Sequence, residues 1–98
     1  MNESYSIIGK WVIDPSNKRA KSQYGDISME FTNDGHLNYI IFAENKYQKI
    51  NMIYWIEGNI LFTDQPSHPQ IEKTKFKIAD NSKLILDYDG IPAIFIRN

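Results

Sequence analysis

One parity of apolar residues runs through five successive hairpin signals in this chain, and few folds allow that. Asp26 to Thr32 alternates strictly, with Ile27, Met29 and Phe31 apolar and Ser28, Glu30 and Thr32 polar, the pattern of a half-buried strand. Asn33-Asp34-Gly35 reads as a three-residue hairpin loop with glycine at the left-handed position. Pairing across it sets Phe31 against Leu37, Met29 against Tyr39 and Ile27 against Ile41. The next turn, Glu44-Asn45, sets Tyr39 against Ile50 and Leu37 against Met52. Gly58-Asn59 then joins two strands within Asn51 to Asp64, placing Ile56 opposite Leu61 and Tyr54 opposite Thr63. Beyond the Q-P-S-H-P-Q loop at 65–70, Asp80-Asn81-Ser82 brings Ile78 to Leu84 and Phe76 to Leu86. Asp89-Gly90 brings Leu84 to Phe95 and Leu86 to Ala93. A slip of one residue at any turn would put the wrong side chains on the buried face.

With a first strand at Ile8 to Asp14, eight short strands follow one another, and no stretch keeps a helical period. The expected fold is all-β, an eight-stranded antiparallel up-and-down barrel occupying residues 1–98 as one domain. Eight strands are also the number at which such a sheet closes and loses its edges. The inward set is Trp11, Ile13, Ile27, Met29, Phe31, Leu37, Tyr39, Ile41, Ile50, Met52, Tyr54, Ile56, Leu61, Phe76, Ile78, Leu84, Leu86 and Phe95. So many large groups point to a largely filled interior. Residues 15–25, polar and locally basic, fit a solvated loop or a short helix. Lys73, Lys75 and Lys77 alternate with Thr74, Phe76 and Ile78 and read as a solvated face.

Of the 98 residues, 42% are hydrophobic and 23% charged, and none is cysteine. These are globular values that exclude a disulfide framework and thiol chemistry. A net charge of −1, balanced between the halves, argues against nucleic acid or an acidic membrane surface as partner. No run approaches the ~20 apolar residues of a spanning helix. The first residues, M-N-E-S-Y-S-I-I-G-K-W, do not form a signal peptide, so the expected compartment is the cytoplasm.

The residues that carry chemistry are sparse. His36 follows a turn and His68 lies between two prolines, without metal-ligand spacing, so no metal and no cofactor is expected. Asp87 and Asp89 flank Tyr88 and suit the turn before Gly90 better than a carboxylate pair. No enzyme activity is expected.

Three stretches resemble the compact bacterial lipocalin-like, or calycin, β-barrel domains. They are Gly9-Lys10-Trp11, a G-x-W on the first strand; M-E-F-T-N-D-G at 29–35; and Y-W-I-E-G-N-I-L at 54–61. Phe95-Ile96-Arg97 on the last strand completes the likeness. The resemblance implies that Trp11 packs at the closed end beneath Arg97, a structural latch on the order of 0.5–2 kcal/mol.

The feature left to explain is the other face of the central strands: Ile40, Phe42, Tyr47, Ile53, Trp55, Ile60 and Phe62. Exposed, it would reach or exceed the ~300–600 Å² of the largest apolar patch on a typical monomer. The 15–25 segment or an arm bearing Tyr5 and Ile7 could cover it; so could a second copy or another protein; or the parity could be inverted. The function that suits it best is a non-enzymatic, protein-binding module. At the level of fold analogy this is an immunity protein that neutralises a cognate toxin, possibly a nuclease. Its anchors would be Phe42, Ile53, Trp55 and Phe62, with Asp64, Asp87 and Asp89 supplying charge. The alternatives are a small carrier of an apolar ligand, with Tyr39 and Tyr54 as polar handles, or a homo-oligomeric structural module.

Overall fold

The computed structural model describes residues 6–67, 69–80, 82–88 and 90–98, the side chains of residues 23, 24 and 88 excepted. Eight strands, β1 (Gly9–Ile13), β2 (Asp26–Phe31), β3 (His36–Ala43), β4 (Lys46–Glu57), β5 (Ile60–Asp64), β6 (Glu72–Ala79), β7 (Lys83–Tyr88) and β8 (Ile91–Arg97), form a closed barrel in sequence order. Each pairs antiparallel with the next, and β8 returns to β1 through Trp11↔Arg97, Val12↔Ile96 and Ile13↔Phe95. The turns set the register. Glu44 and Asn45, with φ of 54° and 61°, make a two-residue turn whose twist matches that of the strands, and Phe42 falls opposite Tyr47. Phe31↔Leu37, Ile56↔Leu61 and Leu84↔Phe95 keep the expected parity.

The two ends of the barrel differ. At one end the segment at 6–8 meets the last strand: Trp11, Phe31 and Phe95 are fully buried, and Phe31 packs edge-on to Tyr54 at 5.0 Å. The Arg97 guanidinium lies 4.1 Å from the centroid of the Trp11 ring. Its two terminal nitrogens donate to the carbonyls of Ile8 and Ser6 at 2.9 and 2.8 Å. The indole Nε1–H of Trp11 donates to the Ile7 carbonyl at 2.8 Å. The arm at 6–8 is therefore tied across the barrel end, and Ile7 is buried in the core instead of crossing the outer face.

At the other end, residues 15–25 form a helix, α1 (Lys18–Tyr24). The Asn17 side chain accepts from the Ala20 N–H at 2.9 Å, and Gly25 at φ 81° ends it. Seven residues are too few to hold a helix alone; burial of Ala20 at the barrel end supplies the rest. The helix contacts β2 and β8.

Several inward residues are only half-buried, and Ile56 is 39% exposed. The strands are staggered. β3 begins opposite Ile53, so Ile56 stands past the end of its neighbour on that side. The core is consequently concentrated in β1, β2, β7, β8 and the near ends of β3 and β5.

Gly9 has φ 128°, and a Cβ placed there would sit 2.8 Å from an Arg97 guanidinium nitrogen. Gly9→Ala should destabilise the fold by about 1–3 kcal/mol through backbone strain and displacement of Arg97. In an Arg97→Ala background the same change should cost less, because the steric part is gone. Urea unfolding of both single variants and the double variant checks this; strictly additive losses would contradict it.

Candidate functional site

The outer face of β3, β4 and β5 follows from the same alternation that fills the core, since the residues between inward positions are themselves apolar. Phe42 and Tyr47, directly opposite, place their rings 5.7 Å apart at a tilt of 55°. Trp55 and Phe62 stack almost parallel, at 5.3 Å and 6°. The Trp55 Nε1–H donates to Glu57 at 3.1 Å, which fixes the indole along the strand. Ile40, Ile53 and Ile60 are half-buried between these pairs, as are Trp55 and Phe62. Phe42 is 41% exposed and Tyr47 77%. Among the described residues, α1 packs on β2 and β8 and Ile7 enters the core, so neither of these two lies on this face. Tyr5 is outside the described residues.

Charge around the face is more basic than the sequence suggested. Lys73 pairs with Phe62 across β5 and β6, its Nζ 5.8 Å from the ring centroid, and Lys75 stands opposite Ile60. The proposed acids have local tasks. Asp64 accepts from the Gln70 N–H at 2.9 Å, closing the β5–β6 loop, and Asp87 accepts from the Gly90 N–H at 2.8 Å. Asp89 is outside the described residues, as is His68. Phe42, Ile53, Trp55 and Phe62 thus share one surface with Asp64 at its edge, while Asp87 lies on β7. Trp11 and Arg97 lie at the opposite end of the barrel from α1.

A cavity of about 240 Å³ opens between β3–β4 and β5–β6. Met29, Leu37, Leu61 and Leu86 form its floor, Tyr39, Ile50 and Met52 one wall, and Thr63, Gln65, Gln70, Glu72 and Thr74 a polar rim. The interior is filled at the latched half and hollow at this one. The cause is a mismatch of strand lengths: β4 has twelve residues and β5 five. Pro66 and Pro69 turn the chain away after Asp64, so among the described residues no strand continues β5 beside the first half of β4. That length difference was the one sequence signal of a cavity. Tyr39 lines it. Tyr54 does not, and its hydroxyl instead donates to the Thr32 carbonyl at 2.7 Å.

The β2–β3 turn gathers Thr32, Asp34 and His36. The Thr32 hydroxyl donates to the Asp34 carboxylate, and His36 Nδ1 lies 3.0 Å from the same oxygen. The hydroxyl faces the carboxylate and not the imidazole, so this arrangement braces a turn and does not activate a nucleophile. The hydrogen bond from Thr32, then that from His36, holds the Asp34 carboxyl below its usual range. Among the described residues, no three His, Asp or Glu side chains come together to hold a metal ion, and no helix is long and apolar enough to cross a membrane. Comparison with protein-family models, curated proteins and solved structures finds no match to this chain.

Desolvation, followed by the charge of Asp34, raises the Tyr54 phenol above its usual value. A raised folded value means stability that is intact below the ordinary phenol range near pH ~10 and lost as pH rises through the folded value. Tyr54→Phe should therefore flatten the alkaline limb of the stability curve. At neutral pH it should cost about 1 kcal/mol for the lost hydrogen bond. Denaturant midpoints from pH 7 to 11 measure both effects; an unchanged alkaline limb would contradict the assignment.

Proposed function

We propose that the chain is a non-enzymatic protein-binding module that seats its partner on the outer face of β3–β5. One observation carries this reading: among the described residues, neither α1 nor the arm at 6–8 covers a surface with four aromatic rings in two packed pairs. Phe42, Ile53, Trp55 and Phe62 are the anchors. A stacked Trp-Phe pair presents a large rigid area at little entropic cost, as binding hot spots do. The lysines beside it, Lys49 and Lys73, favour a partner surface with an apolar centre and an acidic rim.

The closed eight-stranded barrel, the G-x-W of β1 and Arg97 over Trp11 support the finer reading of a compact lipocalin-like domain. Within that reading the partner class we favour is a cognate toxin, the module acting as its immunity protein by occluding a surface. The basic rim speaks for a toxin with an acidic contact surface over a basic nuclease. A soluble cytoplasmic protein suits the same role. The cavity favours a second reading, a carrier. Ligand sites typically occupy ~300–1,000 Å³, and this one, at about 240 Å³, falls below that range, with room for a molecule of roughly benzene size.

Trp55→Ala and Phe62→Ala should each weaken capture of the protein encoded beside this chain by about thirty-fold, the size of a ~2 kcal/mol hot spot, with thermal unfolding little changed. Titration calorimetry and a thermal melt separate the outcomes. Loss of the fold would make the face part of the core, and unchanged affinity would remove it as the interface.

A further inference from the structure

β4 has a feature that the outer face does not use. β5 meets only its last five residues, from Ile53↔Asp64 to Glu57↔Ile60. Lys46 to Met52 pair with β3 on one side and, among the described residues, with no strand on the other. At ~3.3 Å per residue this is roughly 23 Å of open edge. The Glu44-Asn45 turn decides which backbone groups are left free. Ala43 and Lys46 flank it as a hydrogen-bonded pair, so Lys46, Gln48, Ile50 and Met52 direct N–H and C=O to β3. Tyr47, Lys49 and Asn51 direct theirs to the open side.

Lysine on an open edge commonly only protects it from aggregation. Here two observations point to occupancy. First, the edge forms one wall of a slot: Ile50 and Met52 line the cavity, and Thr63, Gln65, Gln70 and Glu72 stand across it. A strand entering beside β4 would find an apolar seat on its inner side and the Lys49 charge on its outer side. Second, neither Lys46 nor Lys49 has a carboxylate within ion-pair distance among the described residues. We propose that this slot accepts an extended peptide segment, apolar residues alternating with acidic ones, as an added antiparallel strand on Tyr47, Lys49 and Asn51. A second copy fits less well, because two-fold pairing of this edge about Lys49 would set Lys49 against Lys49. The inference rests on the protein-binding reading and names the partner segment, but uses the backbone edge of β4 and not the Trp55–Phe62 stack.

The test is titration of the ¹⁵N-labelled full chain with acetyl-Glu-Val-Glu-Val-Glu-Val-amide. At saturation the amides of Tyr47, Lys49 and Asn51 should exchange with solvent at least about ten-fold more slowly, while those of Gln48 and Ile50, already bonded to β3, change little. The same peptide with lysine for glutamate should bind at least about ten-fold more weakly, a difference of ~1.4 kcal/mol. Lys49→Pro removes an N–H outside the β3 ladder and should abolish binding with the fold retained. Should that variant unfold, Lys49→Glu serves, and should reverse the preference between the two peptides. Absence of protection at the three amides, equal binding of both peptides, or a preference unmoved by Lys49→Glu would overturn the proposal. Protection of the same amides that grows with protein concentration alone would assign the edge to a second copy and overturn it too. Trp55→Ala should leave peptide binding within about two-fold. If it abolishes peptide binding, the peptide sits on the stack and the slot is not its site. If peptide binding persists while partner capture ignores Trp55 and Phe62, the outer-face reading fails alone.

Discussion

The closure between β1 and β8 is the contact on which the rest of the barrel depends. A meander of eight strands has two free edges until its first and last strands meet, and here three residue pairs join them, extended by the hydrogen bonds Asp14 N–H to Ile94 and Asn98 N–H to Lys10. Arg97 compensates for that short seam. Its guanidinium covers the fully buried Trp11 ring while its nitrogens tie down the backbone at Ser6 and Ile8. The indole in turn holds the Ile7 carbonyl. One planar cation therefore joins the C-terminal strand, the N-terminal strand and the arm before it, a task that suits arginine better than lysine. Gly9 is what lets the side chain pass, since a methyl group in that place would meet the guanidinium.

From that seam the packing loosens around the barrel. β1, β2, β7 and β8 carry most of the fully buried side chains, and α1 covers their far end through Ala20. β4 lies across the barrel from the seam, is the longest strand, and pairs over eight of its twelve residues with β3 but over only five with β5. Its stagger leaves Ile56 exposed at one end and a cavity at the other. The aromatic face and the open edge both belong to this strand. The rigid core and the two proposed recognition surfaces are thus divided between opposite sides of one small sheet.

Strand pairing was legible in the sequence because each turn states its own length: Asn33-Asp34-Gly35, Glu44-Asn45 and Gly58-Asn59 each admit one register with apolar residues facing inward. Strand ends were less so. That β3 starts opposite Ile53 and β5 stops at Asp64 depends on barrel stagger, a property of closure that no local pattern records. For this reason Ile56, Ile50 and Ile41 looked like uniform core. The helix at Lys18–Tyr24 was undecidable from residues 15–25, since its stability comes from Ala20 entering a barrel end made by distant strands. Asp64 and Asp87 looked like surface charge available to a partner, and each has a backbone N–H to hold. The outer apolar face was visible as a pattern, but only the positions of α1 and Ile7 could show that neither covers it.

Amide hydrogen exchange of the free chain, read residue by residue, tests this division most directly. Exchange should be slowest in β1, β2, β7 and β8 around Trp11, Met29, Leu84 and Phe95, and should report opening close to global unfolding. Tyr47, Lys49 and Asn51 should exchange faster than their neighbours Gln48 and Ile50 by about two orders of magnitude or more, corresponding to ~2.7 kcal/mol. Uniform protection along the whole of β4, matching that of β8, would contradict the account.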